Sequence, residues 1–111
     1  MVVKNFNHAW LFCFPLDVTK QMSTVAEIKC FQLIWLKCCY NHSFENITIT
    51  KRDRERVALS RDSYTRGLES LEEQLKIINV DRHSGHSNRI SVNTEFLDKK
   101  SKDSVLKGRE A

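Results

Sequence analysis

The chain has 111 residues, 41% of them apolar and 29% charged, with 18 basic against 14 acidic side chains and a net charge of +4. These totals exclude collagen-like, low-complexity and polytopic membrane classes, and the length allows one domain at most. They also average over two unlike halves. Residues 1–50 hold 28 apolar residues and 7 charges, whereas residues 51–111 hold 17 and 25. All four Cys, both Trp and the single Pro lie in the first half, and all three Gly lie in the second. So sharp a switch near Thr50 predicts a boundary between an apolar segment, 1–49, and a charged remainder.

In the first segment, Lys4 precedes an apolar run, Ala9–Leu16. The order resembles a signal peptide, but no small-x-small cleavage site follows and Pro15 limits a continuous helix. A short buried or sticky apolar strand is the expectation. Residues 25–40 are apolar nearly all round, with Ile28, Phe31, Trp35 and Cys38/Cys39 at helical spacing. The stretch is shorter than the roughly 20 residues a membrane-spanning helix needs. It predicts a buried helix or an aggregation-prone strand, with contact at a membrane surface through residues 25–40 as the alternative. Residues 46–50 alternate polar and apolar, a short strand signal.

Residues 50–79 are the most legible stretch. Thr50 with Asp53 forms a capping-box pattern. Apolar residues then recur in heptad register, with Leu68 and Leu75 at a and Val57, Tyr64, Leu71 and Ile78 at d. Arg54 and Arg61 at earlier a positions weaken the pattern. Gly67 inside the helix costs about 0.8–1 kcal/mol relative to Ala. The fold class expected is mainly α: one amphipathic helix over 50–79 with weak coiled-coil heptads. An isolated helix of this length is marginal in water, so its stripe calls for a partner. Residues 80–111 read as a polar linker and a largely disordered tail with a short helix over 94–107.

The chemistry-bearing residues form no enzyme signature. Cys13, Cys30, Cys38 and Cys39 contain no C-x-x-C pair, and Cys38-Cys39-x-x-His42 with Cys13 or His8 matches no established metal spacing. His83 and His86 lie three apart in a Ser/Asn/Gly-rich loop without a third ligand in view. The triplets Asn41-His-Ser43 and Asn46-Ile-Thr48 matter only for a secreted chain. Lys51-Arg-Asp-Arg-Glu-Arg56 carries four basic and two acidic residues, a modest field that argues against nucleic-acid binding.

The expectation is a non-enzymatic, cytoplasmic interaction protein without cofactor, metal or small-molecule substrate. Val57, Tyr64, Leu68, Leu71, Leu75 and Ile78 would meet a helical partner or a second copy of the chain. The alternatives are a membrane-associated protein using residues 9–16 and 25–40, and a truncated or alternative gene product without an independent function. On the preferred reading, Leu71→Asp abolishes association.

Overall fold

The computed structural model describes residues 15–82, 88–97 and 99–106. The apolar run at 9–16 lies almost entirely outside the described residues, as do His83, His86 and Cys13. The described chain is mainly helical, with one two-stranded sheet.

A short helix α1 (Leu16–Thr19) leads to the long helix α2 (Val25–Asn41). Local chemistry defines both ends of α2. The Thr24 hydroxyl accepts from the Glu27 N–H at 3.2 Å, while Glu27 Oε1 accepts from the Thr24 N–H at 2.9 Å. This reciprocal capping box satisfies amides that helical geometry leaves without partners. At the other end His42 adopts φ 53°, and the Cys38 carbonyl accepts from the N–H groups of both His42 and Ser43. Left-handed geometry at this position terminates a helix.

The predicted single helix over 50–79 is broken twice. Helix α3 (Lys51–Arg56) starts from a second capping box, Thr50 with Asp53. It stops at Ala58, where φ is 54°. The Ala58 N–H donates to the Glu55 carbonyl and the Leu59 N–H to the Arg54 carbonyl. That is the Schellman pattern, with alanine in the place glycine usually takes. Burial of Leu59, which is 6% exposed, holds the chain in this turn. Ser60 then caps a new helix, α4 (Arg61–Glu69), by accepting from the Ser63 N–H. A π-helical turn, Ser70–Gln74, continues α4 and ends where Lys76 takes φ 57°. The chain leaves as a strand, so Ile78, the expected last d position, is a strand residue.

Strand β1 (Ile78–Asp81) pairs antiparallel with β2 (Arg89–Val92) in the register Ile78 to Val92 and Val80 to Ile90. On the far side of β2, Ile90 exchanges both backbone hydrogen bonds with Ile47, at 2.7 and 2.8 Å. The strand signal at 46–50 thus contributes a single bridge residue. Because Ile90 turns its polar backbone toward Ile47, Val80 opposite it turns its own N–H away from β2. The Glu72 carboxylate accepts that N–H at 3.0 Å and is held at 3.0 Å by Arg82. A charged side chain therefore closes the outer sheet edge at Val80.

Where a disordered tail was expected, the described residues after 80 form β2, a 3-10 turn (Thr94–Phe96) and helix α5 (Lys99–Leu106). The expected helix over 94–107 is these last two elements, separated near Leu97. The reason for order is burial: Ile90 and Val105 are fully inaccessible, and Val92 and Leu97 are nearly so. His42 Nδ1 lies 3.0 Å from the Val105 carbonyl oxygen, which can only accept, so the ring nitrogen donates and ties α5 to the end of α2.

The two compositional halves share one core. Phe31, Ile34, Trp35 and Cys38 from α2 meet Leu68, Leu71 and Ile78 from the charged half, together with Ile47 and Ile90. Trp35 sits between Phe31 and Phe44, with ring centroids 6.1 and 5.8 Å away. Helix α2 packs chiefly against α4. The switch near Thr50 falls between α2 and the elements that pack against it.

Candidate binding groove

The expected partner stripe lies in this shared core. Leu68, Leu71 and Ile78 are buried, and Val57, Tyr64 and Leu75 are half-buried against the same cluster. Leu71 has no exposed surface. The Tyr64 ring lies under the Arg54 guanidinium at 5.6 Å, and its backbone carbonyl accepts from the Cys30 thiol at 3.5 Å. All six residues are brought together, but in the chain's own core. A continuous helical stripe facing outward is absent because the turns at Ala58 and Lys76 fold it around the core.

The alternative membrane face is used in the same way. Cys30, Phe31, Leu33, Ile34, Trp35 and Cys38 are buried, so residues 25–40 present their apolar side to the interior. Among the described residues no helix is long and apolar enough to cross a membrane.

A groove of about 540 Å³ runs between the last turns of α2 and helix α3. Lys37, Tyr40 and Asn41 are spaced i, i+3, i+4 on α2, and Arg52 and Arg56 are spaced i, i+4 on α3, so each set lies on one helix face. Thr48, from the extended segment that leads into α3, lines it as well. Its neighbour Ile47 is buried while Thr48 is exposed, as alternation along an extended chain requires.

Asp53 holds the two walls together. Its Oδ2 accepts from the Thr50 N–H at 2.9 Å and the Thr50 hydroxyl at 3.0 Å, and it pairs with Lys37 Nζ at 3.2 Å. The Asp53 side chain is 7% exposed. Burial alone would push its carboxyl up, but the Thr50 hydrogen bonds and the Lys37 ammonium outweigh burial and hold it below the ordinary value. The carboxylate is thereby committed to capping and to Lys37. Arg52 and Arg56 are exposed, and neither guanidinium forms an ion pair with a described residue. Tyr40 keeps 57% of its surface exposed on the same groove.

The charge run at 51–56 therefore differs in space from its appearance in sequence. Asp53 turns inward to Lys37 and Arg54 turns onto Tyr64. Arg52 and Arg56 remain as a cationic pair one turn apart, on a wall that α2 completes with Lys37 and Tyr40. The groove residues escaped the sequence reading because three of them, Lys37, Tyr40 and Asn41, sit on α2, within a segment legible only as apolar. The available signal was the i, i+4 spacing of Arg52 and Arg56 behind a capping box that consumes Asp53.

A second cavity, about 390 Å³, lies beside Gly67 and contains Glu27. Glu27 is 4% exposed and every contact it makes is structural. Its Oε1 accepts from Ser23 and Thr24, and its Oε2 accepts from the Ser70 hydroxyl, linking the start of α2 to the π-helical turn. Burial pushes its carboxyl up, yet the bonds from Ser70, Ser23 and Thr24 prevail and hold it below the ordinary value.

Cys30 and Cys38 are buried packing groups. Burial pushes the Cys38 thiol up to about 12, and burial with the nearby Glu27 charge does the same to Cys30. Neither is poised as a thiolate at neutral pH. Among the described residues no three His, Cys, Asp or Glu side chains converge as metal ligands would.

No family model matches the chain, and no curated protein and no solved structure matches it. Function is therefore argued from the groove itself.

Proposed function

We propose that this is a non-enzymatic interaction protein that docks a negatively charged segment of a partner protein in the groove between α2 and α3. The observation that carries the reading is the pair Arg52 and Arg56, two exposed guanidinium groups without ion-pair partners among the described residues, facing the same groove as the exposed ring of Tyr40. Arginine and tyrosine are the side chains most often responsible for binding energy at protein interfaces. A guanidinium fork recognises carboxylate and phosphate oxygens with two parallel hydrogen bonds. The Lys37–Asp53 pair fixes the walls in advance, which lowers the ordering cost of binding.

The expected role, protein interaction, is thus retained, and its surface moves from the apolar stripe to a polar groove. The buried thiols of Cys30 and Cys38 suit a reducing compartment such as the cytoplasm.

The test is fluorescence anisotropy of the full chain with a labelled peptide containing four consecutive glutamates. The reading predicts saturable binding that weakens as salt rises from about 50 to 200 mM, because exposed charges are screened over that range. Arg52→Glu/Arg56→Glu, with an unchanged circular dichroism spectrum, should weaken binding by about tenfold or more, since like charges then face the ligand. Binding that ignores both salt and charge reversal would overturn it.

A further inference from the structure

We infer that the charge the groove selects is a phosphate monoester, a phosphorylated serine or threonine on the partner protein. This deepens the proposed function and rests on the groove being the partner surface.

Lys37, Arg52 and Arg56 come from two helices and line one groove of about 540 Å³. A run of carboxylates spreads its charge along an extended chain, about 3.3 Å per residue, and is best matched by cations strung along a surface. A phosphate monoester concentrates close to two negative charges and three acceptor oxygens on one atom. Lys37 on one wall and Arg52 and Arg56 on the other fit that shape.

The groove sets three cations against the single carboxylate of Asp53. That leaves two positive charges, the number a phosphate dianion neutralises. Asp53 itself is 7% exposed and is engaged by Thr50 and Lys37.

The Asn41 amide and the Thr48 hydroxyl line the same groove, and both residues are exposed. They can meet phosphate oxygens that the guanidinium forks leave over. Tyr40 offers a rigid flat surface for the residues flanking the phosphorylated one.

The experiment uses the full chain and four labelled peptides of one length. Their central residue is phosphoserine, serine or glutamate in a Gly/Ala background, and the fourth carries four consecutive glutamates. At about pH 7 the phosphoserine peptide should bind about tenfold or more tighter than either glutamate peptide, and the serine peptide weakest of all. The advantage should shrink several-fold at about pH 5, where the phosphate holds its second proton because that pKa is about 6. Glutamate, ionised at both pH values, should change little.

Arg52→Lys/Arg56→Lys keeps the charge and the fold but removes the forks. It should reduce phosphopeptide affinity more than glutamate-peptide affinity. If the glutamate peptides bind as tightly as the phosphopeptide, and depend on Arg52 and Arg56, this inference is overturned while the proposed function stands. If no peptide binds, both are overturned. Inorganic phosphate binding as tightly as the phosphopeptide would assign the groove to the free anion, and an eight-residue oligothymidylate binding more tightly would assign it to nucleic acid. Either result overturns the inference.

Discussion

A β-carbon built on Gly67 would stand 2.7 Å from the Cys30 sulfur and 2.9 Å from the Ala26 carbonyl oxygen. Helix α4 crosses α2 so closely that only a hydrogen fits between them. The glycine that is a defect in an isolated helix is therefore the residue that lets the two helices meet. Gly67→Ala should destabilise the protein by about 2 kcal/mol, the overpacking cost exceeding the gain in helix propensity. Adding Cys30→Ala should recover only part of this, because the backbone oxygen of Ala26 remains. Chemical denaturation of the two variants checks both statements; a more stable Gly67→Ala protein would contradict the close crossing.

Ala58 provides the opposite test. Its φ of 54° belongs to the left-handed region, where glycine is favoured. Ala58→Gly should stabilise the protein by about 0.5–1 kcal/mol. A continuous helix over 50–79 would lose about the same amount from this substitution. The sign of the change in midpoint denaturant concentration decides between one helix and two.

Leu71 has no exposed surface and packs in the core shared by α2, β1 and β2. Leu71→Asp should unfold the chain, at a cost of about 4 kcal/mol or more, since it removes a core side chain and buries a charge. The readout is loss of the cooperative thermal transition and of near-ultraviolet circular dichroism from buried Trp35. A variant that keeps both signals and only fails to associate would return the stripe to the role of a partner surface.

Three carboxyls, Glu27, Asp53 and Glu72, are held below their ordinary values in the folded chain. For Glu72 the Arg82 hydrogen bond is the leading cause, and the Val80 N–H adds to it. In the unfolded chain these groups titrate near 4.5 for Glu and 3.8 for Asp. The folded state binds fewer protons, so stability from these groups is fully present above 4.5 and is lost as the pH falls through the folded values. Denaturation midpoints should be level from pH 7 to about 5 and then fall toward pH 3. Glu27→Gln should lower the plateau and flatten the acid limb. An unchanged acid limb in that variant would contradict the tether to Ser70.

Much of this architecture is visible in the sequence once the causes are known. Thr50 and Asp53 announced the start of α3, and the apolar positions of 57–78, read as a stripe awaiting a partner, are buried or half-buried in the chain's own core. Their heptad spacing misled because it records burial without recording what covers it: α2 fills the place of the partner helix. The break at Ala58 carries no local signature, since alanine is the best helix former; it is imposed by burial of Leu59 and by Ser60 as a new cap. The order after residue 80 was hidden because Ile90, Val92, Leu97 and Val105 are few and widely spaced, and each is buried by a distant part of the chain. The groove was hidden for a related reason. Its charge depends on where Asp53 and Arg54 turn, and the turn is set by Lys37 and Tyr64, which lie outside the basic run or face the core.

The proposed docking surface is the groove and not the stripe. The most direct measurement is an amide chemical-shift map of the full chain titrated with the phosphoserine peptide and with the four-glutamate peptide. The account predicts shifts confined to Lys37–Asn41 and Thr48–Arg56, with the largest changes around Arg52 and Arg56 and none at Leu68, Leu71 or Ile78. Shifts centred on the apolar positions from Val57 to Ile78, with the groove unaffected, would contradict it.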